Sequence, residues 1–229
     1  MTAPVSVISS MATRQLLADL AGEFERSSAP RVRIESVGGV DAAKRVHAGE
    51  AFDAVVLAAD AIDELIAAGK ILPANRVDLV RSGVAIAVRS GAERPDIESE
   101  EAAERAVLAA RKIGYSTGPS GVQLVKLFER WGIAKQIEQR LMQAPPGVPV
   151  GKLVADGEVE LGFQQLSELM SLPGIAVLGP LPEAIQIVTT FSAGVASASS
   201  RPEDARAVIS FMASSVADEI KRRNGMEPA

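Results

Sequence analysis

The chain has 229 residues, 47% hydrophobic and 23% charged, with 24 basic and 29 acidic side chains for a net charge of −5. That size suits one large domain or two lobes; the absence of a basic stripe argues against a nucleic-acid partner, and 3% aromatic residues are too few for base stacking or an aromatic sugar cleft. With no cysteine and His47 as its single histidine, the sequence excludes disulfides, cysteine–metal sites, thiol nucleophiles and multi-histidine metal sites.

The first residues lack the basic and apolar regions of a signal peptide. No apolar run approaches the roughly 20 residues that span a bilayer. The expected location is therefore cytoplasmic as written, or periplasmic if a leader has been removed. Residues 5–8 predict a short strand, with Ser9, Ser10 and Met11 as the turn that closes it. Leu16, Leu17, Leu20, Ala21 and Phe24 recur at helical spacing, with Thr13 or Ser10 as a cap. Residues 31–36 alternate as a strand does, Gly38 and Gly39 break the chain, and 41–49 predict a second helix. Residues 52–57 are apolar after Asp53, the pattern of a buried parallel strand, and 60–69 predict a third helix stopped by Gly69. Three strand–helix pairs in succession predict a doubly wound α/β sheet, whose ligands bind beyond the carboxyl ends of the strands.

Residues 80–89 predict a long strand leaving the first lobe, 91–99 a polar loop and 100–111 an alanine-rich helix. A short strand ending at Tyr115 leads into a loop of hydroxyl and glycine residues. Leu124, Leu127, Phe128 and Trp131 then mark an amphipathic helix. The first turn of a helix has N–H groups without partners and favours negative charge. Ser116, Thr117, Ser120 and Gly121 therefore read as half of an anion site, with a plain cap and turn as the alternative. This is not a phosphate loop, because Val122 and Gln123 follow Gly121.

Residues 143–151 form a proline-rich connector and 150–157 begin a short helix. Residues 158–163 predict a strand ending at Gln164 and Gln165, 167–172 a short helix and 175–179 another strand. Residues 185–191 return to the first lobe, and 203–223 close the chain as a single helix. The expected organisation is lobe I from 1–82 and 190–229 and lobe II from 83–189, with a ligand cleft between the lobes.

Several residues are candidates for ligand contact. Ser9, Ser10 and Met11 offer hydroxyls and a side chain that packs on carbon, and Gly38, Gly39 and Val40 offer backbone N–H groups. Gln164 and Gln165 are neutral hydrogen-bonding groups at a strand end. Tyr115 and Glu168 are the candidates for acid–base work, Glu168 provided that desolvation raises its pKa. The plainer readings are turns, caps, a packed tyrosine and a solvated glutamate. His47 reads as a surface residue, and Asp53 and Asp60 as structural caps.

The sequence resembles the molybdate-type periplasmic solute-binding family, type II, over nearly its whole length. The carriers are Ala12-Thr13, Val37-Gly-Gly-Val40, residues 52–59, Ile113-Gly-Tyr-Ser-Thr-Gly-Pro-Ser-Gly121 and Gly157-Glu-Val-Glu-Leu-Gly-Phe163. The resemblance implies a two-lobed α/β fold and places Pro149 and Val150 at the start of a helix in the second lobe, near ligand. Where molybdate binders carry two serines, this chain has Ala12 and Val40, and where they often carry a tyrosine it reads Gly162-Phe-Gln-Gln165. Gly162-Phe-Gln-Gln-Leu-Ser-Glu168 and Thr189-Thr-Phe-Ser-Ala-Gly194 are closer to a divergent branch that includes aconitate isomerases. That branch implies a small-carboxylate-binding isomerase acting by an allylic proton shift, with no metal or organic cofactor. The alternative is a solute-binding protein of an ABC importer, or a sensor, for molybdate-like oxyanions or carboxylates. Either way the partner is a small anion, with no nucleic acid and no membrane span, and the sequence leaves the oligomeric state open.

Overall fold

A computed structural model describes residues 3–27 and 30–229. Strand β1 (Val5–Ser10) runs through a 3-10 turn (Met11–Thr13) into α1 (Arg14–Ser27). Ser9 and Ser10 thus end the strand rather than form a turn. No hydroxyl caps the helix entry as expected: Ser10 makes no cap bond, and the Thr13 hydroxyl donates back to the Ser10 carbonyl at 3.2 Å. Strand β2 (Val32–Val37) leads to α2 (Gly39–His47), and β3 (Ala54–Ala58) to α3 (Ala59–Ala67), which stops at Gly69 with φ +70°. Strand β4 (Val77–Arg89) follows, then α4 (Glu100–Ala109), β5 (Ile113–Tyr115) and α5 (Pro119–Arg130). Helix α6 (Ala134–Ile137), β6 (Leu141–Gln143), α7 (Val150–Ala155), β7 (Leu161–Gln165), α8 (Leu166–Leu169), β8 (Ile175–Pro180) and β9 (Val188–Val195) come next.

The chain end is not the single helix expected. Helix α9 (Pro202–Ala213) ends at Ser214, which is extended and whose hydroxyl donates to the Phe211 carbonyl at 2.7 Å. Such local side-chain bonding competes with helix continuation. After a 3-10 turn (Ser215–Ala217) the chain resumes as α10 (Asp218–Arg223), and β10 (Glu227–Pro228) pairs with β4 at Arg81 and Val80.

The chain divides into two compact units, Met1–Arg81 with Thr190–Ala229, and Ser82–Thr189. In the first, β2, β1 and β3 are parallel and β9 runs antiparallel to β3. Alternate strand residues point to opposite faces. Val5, Val7 and Val56 pack with Leu16, Leu20, Val208 and Met212 on one face; Ile8, Val55 and Leu57 pack with Val46, Ile62 and Leu65 on the other. Helices cover both faces, the doubly wound arrangement.

In the second unit, β6, β5 and β7 are parallel, and β7 and β8 both run antiparallel to β4. Val84, Ile86 and Val88 join a large cluster with Leu124, Phe128 and Phe163. The opposite face is built from small residues. Ala85 and Ala87 receive Leu169, and Val150 and Val154 lie against Gly114 and Gly162. A Cβ at Gly114 would come within 2.9 Å of a Val159 methyl and 3.0 Å of a Val150 methyl, and one at Gly162 would overlap Val154. Glycine at these positions is what lets α7 lie directly on the sheet.

Candidate functional site

In the first unit the parallel register pairs Ser9 with Ser36 and Ser10 with Val37, so the strands end along one edge of the sheet. The hydroxyls of Ser9 and Ser36 bond each other at 2.7 Å, and Ser9 is wholly buried. That pair fastens β1 to β2. Ser10 differs: it is only 6% exposed, yet its Oγ has no hydrogen-bond partner among the described residues. A buried polar atom without a partner costs roughly 1–3 kcal/mol unless something else satisfies it. Its Cβ stands 3.5 Å from where a Cβ of Gly39 would be, at the first residue of α2. An uncommitted hydroxyl beside a helix N-terminus is an arrangement that takes an anion. Val40, in the first turn of α2, is 48% exposed, and Met11 is half-buried. Ala12 is buried in the core and offers no donor.

In the second unit Tyr115 pairs with Phe163 at the end of the β5–β7 ladder, and Ser116 and Gln164 are the residues that follow that pair. The Ser116 and Ser120 hydroxyls lie 3.2 Å apart, Thr117 is exposed and Ser120 is buried. Helix α5 starts with Pro119, whose fixed φ suits a first helical position. The Gly121 and Val122 N–H groups donate to the Gly118 carbonyl. A Cβ on Gly121 would overlap the Ser116 carbonyl oxygen, so the loop closes over the helix start only because this residue is glycine. The Tyr115 ring packs against the large cluster. Val150 is fully buried, so only its backbone is open to a ligand, and Pro149 beside it is half-buried.

Both glutamines at the end of β7 have internal partners. The Gln164 Oε1 accepts from the Gly151 N–H at 3.3 Å, and its Nε2 donates to Glu168 Oε1 at 2.8 Å. Oriented to satisfy all its neighbours, Gln165 donates to the Ser82 hydroxyl at 2.7 Å and the Ser82 carbonyl at 3.1 Å, and accepts from Thr189 Oγ1 at 2.9 Å. Ser82 and Thr189 lie where the chain enters and leaves this unit, so Gln165 ties the two crossing strands together. These roles make both side chains fasteners, a duty the sequence alone does not display because, Glu168 aside, their partners are 13 to 83 residues away.

Glu168 sits on α8, half-buried as a residue, and its carboxyl is largely shielded from water by surrounding protein atoms. Burial pushes its pKa up to about 7, against the opposing pull of the Gln164 hydrogen bond. Among the described residues it forms no ion pair. A carboxyl of this kind exchanges its proton at neutral pH, which a general base must do. No group of three or more metal-ligating side chains occurs among the described residues. His47 is exposed, and Asp53 holds the strands, taking bonds from the Ser6 backbone and hydroxyl and from Ser199.

Two doubly wound α/β units, each with hydroxyl donors where a strand passes into a helix, define the class of type II solute-binding folds. The chain belongs to the bacterial extracellular solute-binding protein family, whose model it matches over residues 5–227. It is 35% identical to an aconitate isomerase from Pseudomonas sp, across 98% of this chain and 87% of that one. Solved structures with the same fold include the periplasmic molybdate-binding protein of Azotobacter vinelandii, with TM-score 0.82, 18% identity and coverage of 98% and 99% of the two chains. A sulfate-binding protein from Mycobacterium tuberculosis superposes with TM-score 0.81 and 14% identity, over 100% of this chain and 88% of the other. At these identities the structural likeness shows the fold alone. No helix among the described residues is long and apolar enough to cross a membrane.

Proposed function

We propose that this protein is an isomerase of a small unsaturated polycarboxylate, shifting a double bond by moving one proton. The observation that carries the reading is Glu168, a shielded carboxyl whose pKa burial brings near neutrality, with no ion pair among the described residues. The full-length likeness to an aconitate isomerase supports the same reading and suggests aconitate as the substrate.

The reaction is an allylic shift. The Glu168 carboxylate takes a proton from the methylene carbon next to the double bond; the C–H bond breaks and its electron pair spreads over the three-carbon unit into the flanking carboxylates. The glutamic acid then returns the proton to the far carbon. Atoms and electrons balance without a redox partner or co-reactant. Aconitate has the same carbon framework read from either end, so the shift regenerates aconitate and converts cis into trans through the conformation of the methylene arm. Charge that develops on the carboxylates needs fixed donors. We assign Ser116, Thr117, Ser120 and the start of α5, with Pro149 and the Val150 backbone, to that duty; Ser10 with Gly38 and Gly39 we assign, by themselves, as an anion contact of the first unit. Met11 and Val40 beside that contact are apolar, which suits an anion with a carbon skeleton better than a bare oxyanion. Tyr115, with its ring packed against the core, is assigned to lining rather than proton transfer.

The second reading is a binding protein for an oxyanion or carboxylate, favoured by the family description and by fold neighbours that bind molybdate and sulfate. That description, extracellular, favours the periplasmic location over the cytoplasmic one. A thermal-shift series with molybdate, tungstate, sulfate, citrate and trans-aconitate separates the readings, since a ligand that binds only the folded state raises its melting point. Stabilisation by molybdate and tungstate alone contradicts the isomerase; stabilisation by trans-aconitate fits an isomerase and a carboxylate binder alike, and its conversion to cis-aconitate, followed by proton NMR, is what only the isomerase gives.

A further inference from the structure

Gln164 is 4% exposed at the end of β7, and both ends of its carboxamide are engaged. The oxygen is anchored on the Gly151 N–H, and the nitrogen reaches Glu168 Oε1. The anchor itself is held by packing. A Cβ at Gly151 would overlap Leu172, and Val150 beside it is buried against Gly114 and Gly162. Because an N–H faces one end of the planar group, the amide oxygen must lie there, and the NH2 must face the carboxylate.

We propose that Gln164 is a positioning residue for proton transfer: it holds Glu168 by Oε1, anchored through Gly151, so that Oε2 is the oxygen presented to the substrate carbon. In the step, the substrate C–H breaks, an O–H bond forms on Oε2, and the same O–H later delivers the proton to the far carbon. The inference rests on Glu168 being the base. The chemistry of the donor also matters. A lysine or arginine in its place would stabilise the carboxylate strongly and weaken it as a base. A neutral amide orients the carboxylate while leaving its affinity for protons near neutrality.

The test uses the full chain with three substitutions. Gln164→Leu removes both bonds, and Gln164→Met removes them with a flexible chain of similar length; it stands in if the leucine variant does not fold. Glu168→Gln identifies the Glu168 signal in a carbon-13 carboxyl titration. The expected result for both Gln164 variants on trans-aconitate is a kcat lower by roughly 10–100-fold with KM changed far less, as for a reacting group displaced by about an ångström. The Glu168 titration midpoint is expected to rise from its position near 7, and the acid limb of kcat to rise with it. Wild-type turnover that vanishes in Glu168→Gln but stays within twofold in a folded Gln164 variant, with the midpoint unmoved, overturns the positioning role alone. Full turnover in Glu168→Gln overturns the reading of Glu168 as the base, and with it the catalytic role of Gln164, whatever the midpoint does.

Discussion

Glu168 gives the sharpest expectation at the level of single residues. As general base it must be ionised, so kcat/KM is expected to fall below about pH 7, where burial has placed its pKa. Glu168→Gln should lower kcat by roughly 10²–10⁴-fold while trans-aconitate still raises the melting point. The same carboxyl affects stability in a defined direction. Its folded pKa is raised above the ordinary 4.5, so the folded chain binds the proton more tightly than the unfolded one. The associated stability is fully present below 4.5 and is lost as pH rises towards about 7, a loss of up to about 3 kcal/mol. Urea unfolding at pH 5 and pH 8 should show this decline in the native chain, and a smaller one in Glu168→Gln.

Ser10 separates function from stability in another way. Its hydroxyl has no partner among the described residues to lose. Ser10→Ala should therefore leave unfolding free energy unchanged or raise it by up to about 1 kcal/mol, while weakening carboxylate binding by roughly 5–20-fold. Equal losses in both would show the hydroxyl to be structural. Asp53 is the contrasting case. Burial opposes its ionisation, but bonds from the Ser6 N–H, the Ser199 and Ser6 hydroxyls and the nearby Arg201 charge hold its pKa below the ordinary value. Its contribution is present above the unfolded pKa and is lost as pH falls through the folded one. Asp53→Ala should cost about 2–4 kcal/mol by chemical denaturation without changing the substrate preference, because it strips partners from buried groups.

At the scale of elements, glycines decide where the helices sit. Gly121 lets the loop after β5 close on the first turn of α5. Gly121→Ala forces the Ser116 carbonyl and a new methyl apart. We expect a melting point lower by several degrees and loss of the stabilisation that trans-aconitate gives. Gly114, Gly151 and Gly162 serve α7 in the same way, and through Gly151 they fix the anchor of Gln164. The strand–helix order of the first residues is readable in the sequence because its periods are clean. Residues 5–8, 31–36 and 52–57 stand close to β1, β2 and β3, and helical spacing marks α1 and α5. Strand β6 is hidden because Leu141, Met142 and Gln143 are too short to show a period and run into a proline-rich connector. The break at Ser214 is hidden because apolar spacing continues past it; the interruption comes from one serine hydroxyl turning back on the helix.

For the molecule as a whole, alternation of strand and helix makes the α/β class legible, and the order of motifs makes the solute-binding family legible. What sequence does not display is which polar groups are already partnered. Ser9 and Ser10 are neighbours with the same side chain, yet one is bonded to Ser36 and the other is not. Gln164 and Glu168 are four residues apart, a spacing that also fits a surface pair, and only the fold shows the carboxyl to be shielded from water. Those distinctions depend on long-range register, and they make this member of a solute-binding family a candidate for proton-transfer chemistry.

Proton NMR of the purified chain with trans-aconitate, run beside Glu168→Gln, tests this most directly. The native chain should produce cis-aconitate, and the folded variant should lose this conversion while still binding the acid. Binding without any conversion by the native chain, or equal conversion by the variant, would contradict that reading.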